Sequence, residues 1–181
     1  MAARTTMATL ITLTRGLIND PVGASQAFTD EQVQDGLDNY KLYTNDVLAA
    51  LKNQADAVVG WQSSWRYWEG GLSLVDEALV ALTPATADLI QGYWTFAVNP
   101  SSVYASGWVY DVYASAAELL TFWAGKLGSE ITKFSADGSS YEFDLVKNQK
   151  LALAAQYMAK SSTMGGAKSV EMVRNDLNIN Y

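Results

Sequence analysis

The sequence predicts an α+β fold that is mainly helical: a helical bundle body with a small antiparallel β insertion and a flexible C-terminal tail. Apolar residues recur at helical spacing near both ends of the 181-residue chain. Aromatic and small residues alternate between about 60 and 110. The last residues, from about 163, are mostly polar. We therefore expect one domain over 1–181, helical in 1–58 and 111–162, with the insertion at about 60–110 and a partner-docking tail at about 163–181.

Two helices are predicted near the N-terminus. Thr29 and Gln32 form a capping box, and Phe28 and Val33 are spaced as a hydrophobic staple across it. The first helix is amphipathic and ends at Pro21 and Gly23; its apolar side holds Leu10, Ile11, Leu13, Leu17 and Ile18. A secretory signal peptide is the alternative for this stretch, but threonines and an early arginine interrupt its apolar core.

The middle of the chain predicts short strands. Residues 44–59 are ambiguous, and Thr44 or Asn45 could cap a short helix that runs to about residue 52. Every second residue from Trp61 to Tyr67 then shares one side of a strand; Trp61, Trp65 and Trp68 also fit a helix face, but the flanking glycines and the short length favour the strand. Turn signals divide the following chain into strands near 78–82, 93–97 and 103–109. The pattern indicates a small antiparallel element built mostly from hairpins.

The stretch VYASGWVYDVYASAAELL, residues 103–120, changes its periodicity at Asp111. Before it, one side of a strand is expected to hold Tyr104, Ser106, Trp108 and Tyr110, and the other side Val103, Ala105, Gly107 and Val109. Asp111 is a good N-cap for the helix that follows, and Gly125 with Gly128 marks the expected end of that helix. Small residues at 114–117 would let another backbone approach closely.

A turn at 136–139, ADGS, is expected between two short strands or extended arms, and it precedes a last helix that Asp144 is expected to cap. The candidates for its buried side are Val146, Leu153, Tyr157 and Met158.

Composition excludes much catalytic chemistry. The chain has no Cys and no His, which removes thiol nucleophiles, histidine triads and Cys/His zinc sites. No nucleotide-binding, hydrolase or calcium-loop motif is found, so we expect no enzyme, no cofactor and no metal. Paired carboxylates, Asp76 with Glu77 or Glu69 with Asp88, leave open a carboxylate-only hydrolase.

Charge and aromatic content point toward partners. The net charge is −7, and the excess of acid lies in the first 90 residues, without a basic stripe for tight binding of nucleic acid. No apolar run is long enough for a membrane span. Six Trp and ten Tyr are more than a small β element can bury alone, so we expect packing between elements or subunits. A sugar-binding platform is the alternative.

The run LTPATADLIQGYWTFAVNPSSVYASGWVYDVYASAAELLTFWAGKL resembles the head–tail adaptor (neck connector) proteins of tailed bacteriophages. Their G-x-W/F-x-F strand, G-x-x-YD strand and Ala-rich helix occur here in order at 92–96, 103–111 and 114–124. Three other segments resemble parts of the same family: FTDEQVQDGLDNY at 28–40, FSADGSSYEFDLVKNQKLALAAQYMAK at 134–160 and KSVEMVRND at 168–176. The order and spacing of these pieces carry the resemblance, and the family pattern contains no catalytic residue.

The resemblance implies a structural virion protein in the neck, between portal and tail, assembled in the host cytoplasm. Such proteins form a homo-oligomeric ring, a dodecamer in well-known members, that docks under the portal protein. The ring extends the DNA channel, lets double-stranded DNA pass without sequence-specific binding, and offers a platform to the stopper or tail-completion protein.

Three groups of residues are assigned to this function. The subunit interface is expected at Trp61, Trp65, Trp94, Trp108, Ala114 and Ala117. Acids that would line the channel and repel DNA are Asp30, Glu31, Asp35 and Asp38. The tail segment that would dock on the portal contains Val170, Met172, Val173, Arg174, Leu177 and Tyr181. An aromatic-rich module of a phage tail that binds carbohydrate or a receptor is the alternative function.

Overall fold

A computed structural model describes residues 2–131 and 140–164. For 128–131, 140–144 and 162–164 it describes the backbone alone. The chain is α+β, as predicted. A 3-10 turn at Thr5–Met7 precedes four helices: α1 (Ala8–Ile18), α2 (Asp30–Asp38), α3 (Val112–Ile131) and α4 (Ser140–Met164). The strands are β1 (Lys41–Val47), β2 (Ala49–Lys52), β3 (Val58–Gln62), β4 (Ser73–Val75), β5 (Thr86–Asp88), β6 (Tyr93–Thr95) and β7 (Tyr104–Tyr110).

The strands form two antiparallel sheets, in the orders β1-β7-β4 and β2-β3-β6-β5. β1 continues into β2 through Leu48, whose amide donates to the carbonyl of Val103 at 2.9 Å. The carboxylate of Asp46 on β1 accepts hydrogen bonds from Ser63 and Ser64, which follow β3. These contacts join the two sheets into one β layer.

Two apolar cores lie side by side. One is built from the four helices with the end of β7, and it includes Leu10, Val33, Leu37, Ala116 and Leu120. The other lies within the β layer and includes Trp61, Trp68, Trp94, Ala105 and Val109. The predicted first helix is confirmed, with Leu10, Ile11 and Ile18 buried and Leu13 and Leu17 half-buried.

The expectation of a mainly helical bundle is wrong, because the β layer is larger than the sequence indicated. The short helix considered for 44–52 is absent, and this stretch forms β1 and β2. Seven consecutive residues of β1 pair with β7, and this tertiary pairing outweighs the weak helical pattern. The helical part expected over 1–58 therefore ends at Asp38.

Three further element boundaries differ from the prediction. α3 continues past Gly125 to Ile131, because packing along α4 sustains it where propensity alone would end it. α4 begins at Ser140, before the expected cap at Asp144, and the ADGS turn lies outside the described residues. Val146 and Met158 are exposed, and Ala154 is buried in their place.

The β insertion matches the prediction in part. β6 and β7 lie within one or two residues of the expected 93–97 and 103–109, and β3 covers only the start of the alternating run at 60–67. The strand expected at 78–82 is wrong. A tight turn occupies most of this stretch, in which Ala81 makes only an isolated bridge to Val75.

Candidate interaction surfaces

The joint between β7 and α3 is centred on Asp111. Its Oδ1 accepts hydrogen bonds from the amides of Tyr113 and Ala114, which confirms the predicted N-cap. Its other oxygen accepts from Ser161 Oγ on α4 at 2.6 Å, and its own amide donates to the carbonyl of Tyr40. The side chain and the backbone amide of this one residue therefore tie the end of the sheet, α3 and α4 together.

One face of the sheet β1-β7-β4 is open. Along β7 the odd-numbered positions 105, 107 and 109 are buried, whereas Tyr104 and Trp108 are exposed, as the alternation predicted. Tyr110, which the alternation placed with them, is instead buried, because its hydroxyl donates to Glu69. Trp108 lies opposite Tyr43 on β1, with ring centroids 5.1 Å apart, and Val47 lies opposite Tyr104. We call Tyr43, Val47, Tyr104 and Trp108 the open aromatic face, and Tyr43 is 52% exposed and Trp108 40%.

Beside this face lies a cleft of about 480 Å³ lined by Trp108, Lys41, Arg4 and Glu69, among others. Lys41 Nζ lies 5.2 Å from the centroid of the Trp108 ring, a cation–π contact. The cleft thus offers an exposed ring beside charged groups.

The charged groups of the cleft are bound to one another. Arg4 pairs with Asp38 at 2.8 Å and with Glu69 at 3.1 Å. Thr6 Oγ1 and Tyr110 OH each donate to Glu69 at 2.6 Å. Burial, and then the hydrogen bond and charge of Glu69, raise the pKa of Tyr110. With its two oxygens accepting from three residues, Glu69 holds the N-terminal segment against the sheet.

The other acids considered for hydrolysis also form structural hydrogen bonds. Asp76 Oδ1 accepts from the amides of Ala78 and Val80, and Asp88 Oδ1 accepts from those of Ile90 and Gln91. These bonds fix two turns.

A second cleft, of about 330 Å³, lies next to the joint. We call it the joint cleft; its aromatic and apolar lining includes Tyr40, Leu42, Trp65, Tyr67 and Tyr113. Tyr67 and Tyr113 pack edge to face, with ring centroids 6.2 Å apart. Burial, followed by the hydrogen bond to Tyr113, raises the pKa of Tyr67 to about 12. Arg66 and Asp111 supply charges to this lining.

A shallow groove of about 630 Å³ lies between α2 and α3. Phe122 and Met158 are exposed apolar side chains on its wall, and Asp35 and Glu118 add acids.

The predicted interface residues do not share one surface. Trp61, Trp94, Ala114 and Ala117 are buried inside the chain itself, so they offer no area to a second copy, and this part of the prediction is corrected. The two rings fill the β core, and Ala117 belongs to the core that α3 shares with the other helices. Trp65 is half-buried in the joint cleft, and Trp108 belongs to the open aromatic face.

The four acids of α2 are not a uniform acidic stripe. Asp30 pairs with Arg15 at 2.8 Å, and Asp38 pairs with Arg4. Glu31 and Asp35 make no ion pair within the described residues. The tail residues assigned to portal docking, Val170 to Tyr181, lie outside the described residues.

Sequence reasoning missed Tyr43 and Val47 as surface residues, because their strand was not recognised. Their alternation in 41–47 with the aromatic pattern of β7 was the signal available. It also missed Leu79, which it placed in a strand; four exposed or half-buried residues in a row, Glu77 to Val80, do not fit a buried strand.

Comparison of the chain with protein families, curated proteins and solved structures finds no match. None of the helices in the described ranges has the length and apolar character needed to cross a membrane. Over the same ranges, no group of three or more acids is arranged to hold a metal ion.

Proposed function

We propose that the chain is a structural virion protein, a head-to-tail adaptor that forms a ring under the portal and extends the DNA channel. The structural observation that carries the proposal is the open aromatic face. A monomer gains nothing from leaving Tyr43, Val47, Tyr104 and Trp108 in water, whereas an oligomer can bury them. The order of the resembling segments along the chain supports the same function.

The joint suits a ring subunit. A ring built from heterologous contacts needs subunits whose surfaces keep a fixed relation, since small errors accumulate around the circle. Asp111 fixes the sheet against α3 and α4, so the open aromatic face and the helical layer stay in register.

The lining of the proposed channel rests on fewer acids than the sequence suggested. Arg15 and Arg4 neutralise Asp30 and Asp38, which leaves Glu31 and Asp35 to repel DNA. Hydrogen bonds at the helix N-terminus, from the backbone amide of Glu31 and then from Thr29, lower the pKa of Glu31. It therefore keeps its charge in mildly acidic solution.

The test is mass photometry of the purified chain, alone and mixed with the portal ring of its phage. We expect a portal-bound ring of fixed stoichiometry that is lost when 166–181 is deleted. The control is Val98→Ser, which changes an exposed apolar residue outside both the tail and the open aromatic face and should leave portal binding unchanged. Absence of portal binding in every condition would overturn the proposal.

A second candidate is an aromatic module that binds carbohydrate, and the cleft beside Trp108 favours it. An exposed indole next to Lys41 and polar groups is the arrangement that stacks on a sugar ring and holds its hydroxyls. Oligosaccharides that quench the fluorescence of the wild type and not of Trp108→Ala would support this candidate. No quenching by a broad oligosaccharide panel would remove it.

A further inference from the structure

The turn that follows β4 forms an apolar knob, residues 76–80. The amide of Asp76 donates to the carbonyl of Val80, and that of Leu79 donates to the carbonyl of Asp76. Asp76 Oδ1 accepts from the amides of Ala78 and Val80 at 2.9 Å each. These four bonds fix the turn, and Leu79 is 79% exposed on it.

Both the backbone conformation and the exposure of Leu79 are unfavourable for a leucine. Its φ of +62° lies in the left-handed region, and the residue at this place in a three-residue hairpin loop is normally Gly. Its side chain is also left in water. Strain that persists without a structural reason is a hypothesis of function.

The joint cleft also contains a bulky residue with positive φ. Four residues other than glycine have positive φ in the described chain, and two of them, Asn19 and Asp56, are types that tolerate it. The other two are Leu79, in the knob, and Tyr67, which lines the joint cleft with φ +60°. Leu79 therefore lies on a projecting turn, and Tyr67 lies in the wall of a cleft.

The charges of the two features are complementary. Asp76 and Glu77 belong to the knob and give it an acidic base. Arg66 is exposed in the lining of the joint cleft and makes no ion pair with the described residues. Asp111 lies in the same lining, but both of its oxygens already accept hydrogen bonds, from the start of α3 and from α4. The groove between α2 and α3 is a poorer receptor, because it carries Asp35 and Glu118.

The knob and the joint cleft lie at opposite ends of one strand of the sheet. The knob follows Val75, which pairs with Tyr104 at the start of β7, on the β4 edge. The cleft lies by Val109 and Asp111 at the other end of β7, where Tyr40 lines it from the β1 side and Tyr67 from the β4 side. Six residues of strand separate these ends by about 20 Å. The knob therefore cannot fill the cleft of its own chain.

We propose that the knob of one copy inserts Leu79 into the joint cleft of the next copy, with Glu77 beside Arg66. The two surfaces differ, so the contact is heterologous and can repeat from copy to copy until a ring closes. The inference rests on the proposed function for the closure of the ring, and it names the contact that would build it.

The first test uses the absence of cysteine. Leu42→Cys, in the cleft lining, is combined with Leu79→Cys, and the concentrated chain is oxidised. A ladder of disulfide-linked multimers on a non-reducing gel is expected from the double variant, and no more than dimers from either single variant. No ladder would overturn the contact.

The second test separates docking from folding. Leu79→Gly relieves the left-handed strain, so the variant should unfold at the same temperature as the wild type or higher. Removal of one buried leucine should nevertheless weaken self-association about 10- to 100-fold in sedimentation equilibrium. Val98→Gly is the matched control and should leave association unchanged. Unchanged association of Leu79→Gly would contradict the inference.

The charge pair gives the third test. Arg66→Glu and Glu77→Arg should each weaken association, and the double variant should recover most of it, because the reversed pair restores the attraction. Failure of the double variant to recover would reject the pairing of these two residues.

The outcomes distinguish the contact from the function. A portal-bound ring that forms without the disulfide ladder would leave the adaptor function standing and reject the knob. A ladder from a chain that never binds a portal would do the reverse.

Discussion

Removal of one buried carboxylate should weaken the connection between α1 and α2. Arg15 and Asp20 are both almost fully buried and lie 2.9 Å apart. Asp20 also accepts the amides of Ala27 and Phe28, and Arg15 donates to the carbonyl of Phe28. The pair thus holds the segment between the two helices in place.

The cost of Asp20→Ala follows from what it leaves behind. Arg15 would keep a buried charge with only Asp30, half-exposed, to balance it, and the buried amide of Phe28 would lose its acceptor. Breaking a buried pair from one side costs about 3–5 kcal/mol of unfolding free energy. That is a large part of the stability of an ordinary domain, about 5–15 kcal/mol.

Urea denaturation followed by tryptophan fluorescence measures the effect. We expect Asp20→Ala to lower the transition midpoint by about 2 M, given slopes of about 1–3 kcal/mol per molar urea. Asp30→Asn is the matched control, because it removes an exposed partner of the same arginine and should cost less than about 1 kcal/mol. Equal small losses in both variants would refute the importance of burial.

Three other predictions concern pH and backbone. Burial raises the pKa of Asp38, but the hydrogen bond and charge of Arg4 outweigh it and hold the pKa below the ordinary 3.8. Folding stability is therefore lost as the pH falls below 3.8 through the lowered pKa, and Arg4→Met should make this loss smaller in acid unfolding curves. Because the pKa of Tyr67 is raised to about 12 in the folded chain, its contribution to folding stability is complete below about pH 10 and is lost as the pH rises from about 10 to 12. Tyr67→Phe should therefore reduce the loss of stability in alkaline solution, and an unchanged profile of stability against pH would contradict the assignment. Gly125→Ala should raise the unfolding free energy by about 0.5–1 kcal/mol, because there is open space around the new methyl group. Gly92→Ala should lower it by more than about 1 kcal/mol, because φ is +66° there and the methyl group would meet the carbonyl oxygen of Trp65. Calorimetry of both variants checks that the two changes have opposite signs.

The parts of the fold that could be predicted are those whose signals are local. Thr29 and Gln32 satisfy each other's amides within four residues, and the structure shows both bonds. Asp111 caps α3 through amides two and three residues away. The periodicity of α1 and β7 depends on neighbours in sequence. Contacts of this kind form whatever the rest of the chain does, so sequence patterns report them well.

The parts that could not be predicted depend on distant partners. β1 is a strand because it pairs with β7, whose residues lie 57 to 69 positions later, from Val47↔Tyr104 to Lys41↔Tyr110. Neither propensity nor turn signals in 41–52 carry that information. The buried tryptophans show the same limit for the candidate site. Trp61 and Trp94 face each other across β3 and β6 in the β core, while Trp108 lies outside, although all three occur in similar aromatic runs.

The failure at 78–82 differs from these. No distant partner explains it, because the turn is made by hydrogen bonds within five residues. The residues themselves are wrong for a turn: Leu79 stands where Gly would fit, and Val80 beside it prefers a strand. Local preference and observed structure normally agree in natural sequences, and the exceptions concentrate where a residue serves something other than the fold. The misread strand and the proposed knob are therefore the same observation. A leucine that opposes its own turn, and lies exposed on it, is best explained by a cleft on another molecule that accepts it.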